Sequence, residues 1–248
     1  MKKIVFIGAG SIIFVKNLIG DCMLTPSLCD SEFALLDINR EKLYLAEGML
    51  KNLNRNVNGG RATVKAYESQ REALAGADFV INAIQVGGYD PCIINDFEIP
   101  LKYGLRQTYA DTLGIGGIMR GLRTIPVMKG ITDDMEELCP NAWLLNYTNP
   151  MAIVTGAVLK SSSIKTIGLC HSVQSCTKNL MDVVGMDCTG VEYKIAGINH
   201  QAWLLEVTKD GRDLYPEIKA RAAQLTEPHE DMVRYEIMKR FGYYVTES

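Results

Sequence analysis

Lys3-Ile4-Val5-Phe6-Ile7-Gly8-Ala9-Gly10-Ser11 is the stretch that decides the fold. Lys3 to Ile7 is a short run, apolar from Ile4 onward and rich in β-branched residues, the signature of a strand covered on both faces. A glycine turn follows, and then a helix-period segment from Ser11 to about Met23. A helix that opens from such a turn offers unpaired N–H groups and the positive end of its dipole, which suit a pyrophosphate. A second strand, Phe33 to Asp37, ends on an acid at the spacing where a carboxylate takes both ribose hydroxyls. A carboxylate there would repel a 2′-phosphate. Gly8, Gly10, Ser11 and Asp37 are therefore expected to bind NAD rather than NADP. Ile13 stands where the usual fingerprint has its third glycine, so the motif rests on strand, turn, helix, strand and acid together.

Outward from this unit the alternation continues. A helix is expected from about Arg40 to Asn52, capped by Asn39, then a strand Ala62 to Ala66, a short helix Gln70 to Ala75 and a strand Asp78 to Ile84. Gln85 to Ile118 is a long, glycine-rich connection with a short helix near Ile94 to Tyr103, a length that favours function over idle linkage. A helix from about Gly117 to Leu138 leads to strands Ala142 to Tyr147, Lys165 to Leu169 and Glu192 to Ile198, with helices from about Pro150 and from His171 to Val184. This pattern predicts an α/β chain built on a Rossmann-type, doubly wound parallel sheet. Ala202 to Val207 and the turn Lys209-Asp210-Gly211 suggest an antiparallel piece, and the residues from Tyr215 onward read as helical and charged. The expected division is a nucleotide-binding domain over 1–199 and the start of a second, α+β substrate domain over 200–248.

Composition narrows the class. With 47% hydrophobic residues the chain can bury a sizeable core, and a net charge of -3 with scattered Lys and Arg supplies no field for nucleic acid. Seven widely spaced cysteines in a chain of this size point to a reducing cytoplasm rather than a disulfide framework. Met1-Lys2-Lys3 and the apolar run behind it resemble a secretory leader, but Gly8 and Gly10 interrupt the run and no cleavage site follows. No segment reaches the roughly 18 to 20 apolar residues of a membrane span.

Three strand-end segments carry reactive groups: Asn146-Tyr147-Thr148-Asn149-Pro150, Leu169-Cys170-His171-Ser172 and Ile198-Asn199-His200. Ligands of open parallel sheets gather beyond the carboxyl ends of the strands. Cys170 and His200 are candidate ligands for a divalent metal, while their spacing alone equally describes a buried cysteine and a hydrogen-bonded histidine.

The FIGAGS turn, Gly87-Gly88-Tyr89, Ala110-Asp111-Thr112-Leu113-Gly114 running into Gly116-Gly117-Ile118-Met119-Arg120, and the segments NYTNPMA, GLCHS and AGINH together resemble the family 4 glycoside hydrolases over essentially the whole chain. That family's fold is shared with lactate and malate dehydrogenases. The pairing of GLCHSVQ with ADTLG and GGYDPC is most similar to its melibiase-type α-galactosidases, and His171 after the cysteine argues against a 6-phospho sugar. The resemblance implies NAD and Mn2+ as cofactors, a small α-glycoside such as a melibiose-like oligosaccharide as substrate, and a homo-oligomer. It also implies an unusual route: oxidation of the sugar at carbon 3, removal of the carbon 2 proton, elimination, addition of water and return of the hydride, in place of paired carboxylates. By the same resemblance Cys170 and His200 hold the metal and Asn149 contacts the sugar. His171 is the leaving-group acid, Asp111 supports the base, and Tyr243 is the candidate base. A thiolate on a metal that prefers oxygen leaves room for another divalent ion. Ile115 replaces a proline common in the family's loop, and family chains run on past Ser248, so a fragment or a shortened member is expected.

Two other readings compete. A 2-hydroxy-acid dehydrogenase would use Arg120 or Arg123 for the substrate carboxylate and His200 as proton acceptor, but would leave Cys170 without a task. A nonenzymatic NAD-binding protein would bind the cofactor and turn nothing over.

Overall fold

A computed structural model describes residues 1–107, 114–226 and 230–247. The chain divides into two compact units, Met1–Leu169 and Cys170–Ser248.

In the first unit the order is β1 (Lys3–Ile7), α1 (Ile12–Leu24), β2 (Glu32–Leu36), α2 (Arg40–Asn58), β3 (Thr63–Tyr67), α3 (Gln70–Leu74), β4 (Phe79–Asn82), α4 (Ile94–Lys102), α5 (Ile115–Leu138), β5 (Trp143–Asn146), α6 (Met151–Ser161) and β6 (Lys165–Gly168). Among the described residues six strands form one parallel sheet in the order β3-β2-β1-β4-β5-β6. The strand order reverses beside β1, which is the switch point where such sheets bind dinucleotides. The run that resembled a leader is thus the middle of the sheet. Alternate strand residues serve the two faces. Val5, Ile7, Ala34, Leu36, Val80 and Leu144 meet Met128, Ile131 and Met135 of α5 and Val154 and Val158 of α6. Ile4, Phe6, Phe33, Leu35 and Ile81 meet Val15, Ile19 and Met23 of α1 and Leu43, Ala46 and Leu50 of α2. Burial on both faces is why these strands read as unbroken apolar runs.

Helix α2 runs to Asn58, beyond the expected end at Asn52. Asparagine usually signals a loop, but here Asn54 and Asn58 are buried and donate to the carbonyls of Ala62 and Cys29. Gly59, at φ 62°, closes the helix in the left-handed region.

The second unit contains α7 (Ser172–Val183), β7 (Glu192–Ile198), β8 (Gln201–Lys209), β9 (Arg212–Asp213), α8 (Tyr215–Ala222), α9 (Met232–Phe241) and β10 (Tyr244–Val245). An antiparallel sheet runs β10-β8-β7, with β9 on the end of β8. The division falls after Leu169 instead of after residue 199, because the apolar stripe of α7, made by Cys176, Leu180 and Met181, packs with Leu204 and Val207 of β8. The segment from Tyr215 onward is not helical throughout, since Tyr244 and Val245 return to the sheet opposite Leu204 and Trp203. Tyr215 fixes that return: its hydroxyl donates to the Leu204 carbonyl and accepts from Tyr244 N at 3.1 Å. Among the described residues no helix is long and apolar enough to cross a membrane.

Candidate functional site

The glycine turn of the first unit is dictated by its own neighbours. Gly8 and Ala9 both donate to the Leu36 carbonyl, at 2.9 and 3.1 Å, which folds the chain sharply over the end of β2. Gly8 lies at φ 94°, and a Cβ there would stand 2.5 Å from the Ala83 carbonyl oxygen. Gly10 N donates to Asp37 Oδ2 at 2.6 Å, and a Cβ on Gly10 would meet that oxygen at 2.7 Å. Asp37 Oδ1 accepts from Asn39 N at 2.8 Å, so the half-buried carboxylate is held with lone pairs still open for ribose hydroxyls. Ser11 makes no side-chain cap on α1 and the first turn carries no acid, so no side chain of the helix itself occupies its positive end. Ile13 is 75% exposed, so the missing third glycine costs no packing. Gly8, Gly10, Ser11 and Asp37 are thereby brought together in a cradle that fits a dinucleotide.

At the carboxyl ends of β4 and β5 lies a polar cluster in which Asn82, a residue that motif reading did not single out, joins the Asn146–Pro150 segment. Asn82, with no exposed surface, donates to Asn146 Oδ1 at 3.0 Å and Thr148 Oγ1 at 2.8 Å. Asn146 in turn donates to Thr155 Oγ1 at 3.0 Å. These bonds fix the turn that presents half-buried Asn149, whose Oδ1 accepts from Met151 N at 3.3 Å. The asparagines were visible in NYTNP, but only Asn149 stood out there. Arg123 is bound through both terminal nitrogens to the Asp96 carboxylate, at 3.0 and 2.6 Å, with Asp96 only 2% exposed.

In the second unit the chain brings Cys170 and His200 to the same place: Cys170 Sγ lies 3.3 Å from His200 Nε2. His200 occupies a two-residue turn with Asn199 between β7 and β8, at φ 60°, a left-handed conformation uncommon outside glycine. Gly197 permits the turn, since at φ 142° a Cβ would sit 2.6 Å from both Ala202 Cα and the Gln201 carbonyl oxygen. Two ligands bound side by side on one ion at metal–sulfur and metal–nitrogen distances near 2.3 and 2.1 Å stand roughly 3.1 to 3.6 Å apart. The observed separation fits that range. Burial raises the Cys170 pKa, but hydrogen bonds from His200, the Ser172 backbone N–H and Asn199 outweigh it and bring the thiol down to about 6. The thiolate is the form that ligates a cation. Among the described residues no cluster of three or more His, Cys, Asp and Glu side chains joins the pair. All seven cysteines are free thiols.

His171 is exposed immediately before α7, its carbonyl accepting from Ser175 N at 3.0 Å. Tyr243 packs edge-on against Tyr215, with ring centroids 5.8 Å apart. Its neighbour Tyr244 pairs with Leu204, well along β8 from the His200 turn, so Tyr243 is not brought to the Cys170–His200 pair. Asp111 lies outside the described residues. Ser172, of the segment named from sequence, reaches the pair, and Glu247, which was not foreseen, reaches Ser172: Ser172 Oγ is 3.1 Å from Cys170 Sγ and donates to Glu247 Oε1 at 2.6 Å.

The model of the family described as family 4 glycosyl hydrolase matches residues 3–186, and that of its C-terminal domain matches residues 195–248. An alpha-galactosidase of Bacillus subtilis is 61% identical over 249 aligned positions, covering 100% of this chain and 57% of that protein. The chain spans about half the length of the curated relatives it matches. Among solved structures, the 6-phospho-beta-glucosidase of Thermotoga maritima, determined with manganese, NAD+ and glucose-6-phosphate, is similar at a TM-score of 0.83 and 25% identity, covering 99% of this chain and 58% of that one. A lactate dehydrogenase of Eimeria maxima shares the fold at a TM-score of 0.62 and 17% identity, covering 97% of this chain and 69% of that one.

Proposed function

The chain belongs to the family 4 glycosyl hydrolases, and from that premise we propose that its protein is an NAD- and divalent-metal-dependent glycosidase acting on small α-galactosides. The observation that carries the reading is the Cys170–His200 contact at 3.3 Å, a thiol of lowered pKa set against an imidazole held in a strained turn. The galactoside preference rests on similarity to the Bacillus subtilis alpha-galactosidase.

When bound, NAD+ supplies reversible oxidation at carbon 3 of the sugar, and Mn2+ or another divalent ion supplies a Lewis acid for the adjacent oxygens. The chain's residues do the rest. The N–H groups at Gly8, Gly10 and Ser11 receive the pyrophosphate, and Asp37 accepts from the ribose hydroxyls. Cys170 and His200 hold the ion, and Asn149 accepts from or donates to a sugar hydroxyl. His171, exposed and one residue from the metal ligand, delivers a proton to the departing oxygen. Asp111 supports the basicity of the group that removes the carbon 2 proton, a role given to Tyr243. Because Tyr243 packs on Tyr215, that role requires the ring to leave this contact. The protein is read as a cytoplasmic homo-oligomer, in keeping with its free thiols.

The dehydrogenase reading finds less support. It needs an arginine for a substrate carboxylate, and of its two candidates, Arg120 and Arg123, the guanidinium of Arg123 is committed to Asp96. The test is a panel of α- and β-linked nitrophenyl glycosides, free and 6-phosphorylated, with NAD+ and Mn2+. Nitrophenol release from the unphosphorylated α-galactoside, dependent on both cofactors, is the expected result. Release only from phosphorylated or β-linked members overturns the substrate assignment.

A further inference from the structure

Beyond its two ligands, the metal pair has a second layer contributed by segments distant in sequence. Ser172, 4% exposed at the start of α7, places Oγ 3.1 Å from Cys170 Sγ and donates to Glu247 Oε1 at 2.6 Å. Glu247 arrives there because β10 is fixed against β8. Thr246 N donates to the Ala202 carbonyl at 2.9 Å, and Thr246 Oγ1 accepts from Ala202 N at 3.2 Å. Arg234, itself buried, holds the preceding Val245 carbonyl at 3.0 Å. The carboxylate is therefore delivered by a braced strand end, and the hydroxyl between it and the sulfur has little room to turn.

A cysteine side chain has one rotatable bond that aims its sulfur, and a buried neighbour that touches the sulfur selects the rotamer. Removing a group that orients a ligand in this way typically costs about 10- to 100-fold in metal affinity. We propose that Ser172 and Glu247 are positioning residues for the metal site: the Glu247 carboxylate fixes the Ser172 hydroxyl, and Ser172 holds the Cys170 sulfur facing His200 Nε2. This rests on Cys170 and His200 being the metal pair. Neither residue needs to touch the ion.

The experiment titrates the whole chain with Co2+, reading the thiolate-to-cobalt charge-transfer absorption, and with Mn2+ by calorimetry. The expected result is that Ser172→Ala and Glu247→Ala each weaken binding roughly 10- to 100-fold and change the charge-transfer band. Because Glu247 acts through Ser172, the double variant should bind about as weakly as Ser172→Ala alone. Ser172→Thr and Glu247→Gln, which keep the hydroxyl and the acceptor, should restore most of the affinity. Thermal unfolding of each variant serves as the fold control. If the alanine variants melt earlier yet bind Co2+ with the original affinity and band, the pair is only a tether for β10 and the inference falls. Additive losses in the double variant also overturn it. A parent protein with no thiolate band, or one that keeps its band in Cys170→Ala, instead overturns the metal pair on which the inference rests.

Discussion

Gly197→Ala adds a single methyl group and should dismantle the proposed metal pair, Cys170 and His200, without touching either residue. The glycine lies at φ 142°, and the new Cβ would sit 2.6 Å from Ala202 Cα and from the Gln201 carbonyl, where ordinary contact begins at 3.4 Å. The shortfall, 3.4 − 2.6 = 0.8 Å, involves backbone on the opposite strand, so no side chain can rotate away. A backbone conformation nearly confined to glycine costs of order 1–3 kcal/mol, and parting the strands adds to it, for a total of about 2–4 kcal/mol. The strands part at the turn that carries His200, and a ligand displaced by about 1 Å loses on the order of 100-fold in function. Gly211→Ala is the control. It too has a positive φ, 75°, but nothing within 4 Å of the new Cβ, so about 1 kcal/mol is lost and the metal site stays intact. Denaturant unfolding and Mn2+ calorimetry on both variants supply the comparison. Equal metal affinity in Gly197→Ala and the parent protein would refute the argument that backbone crowding at this turn positions His200.

Three further outcomes follow from the same geometry. Asp37→Ala should weaken NAD+ binding by about tenfold or more, since a carboxylate–hydroxyl bond is worth roughly 1.5–3 kcal/mol, and equilibrium dialysis against NAD+ reads this directly. In metal-free protein, Cys170 alkylation should rise through a midpoint near pH 6, whereas Cys176, pushed up to about 11 by burial, should remain inert. Since the folded Cys170 thiol titrates below its ordinary value of 9.0, its contribution to stability is complete above pH 9 and is lost as the pH falls through about 6. Arg123→Ala would leave the buried Asp96 carboxylate unpaired and should cost about 3–5 kcal/mol in urea unfolding, with Arg123→Lys recovering only part of it.

Much of the first unit was legible because parallel strands covered on both faces cannot hide their apolar runs, and because Gly8, Gly10 and Asp37 sit where β1, α1 and β2 meet. The end of α2 was not legible: Asn54 and Asn58 have the composition of a loop, and only their bonds to Ala62 and Cys29 reveal them as helix interior. The site followed the same pattern. Cys170 and His200 stood at strand ends and could be named, whereas the strained turn of His200 depends on Gly197 meeting the facing strand. Glu247 could not be found from local pattern, because it joins Ser172 only after β10 has paired with β8. Asn82 was hidden differently, as one polar residue at the end of an apolar strand whose partners lie on β5 and beyond.

The central claim is that NAD serves a glycosidic cleavage through transient oxidation of the sugar, and solvent isotope incorporation tests it most directly. Hydrolysis of an α-galactoside in deuterated water with NAD+ and Mn2+ should yield galactose carrying deuterium at carbon 2, with no lasting accumulation of NADH. Galactose released without deuterium at carbon 2, or released at the same rate when NAD+ is omitted, would contradict the account.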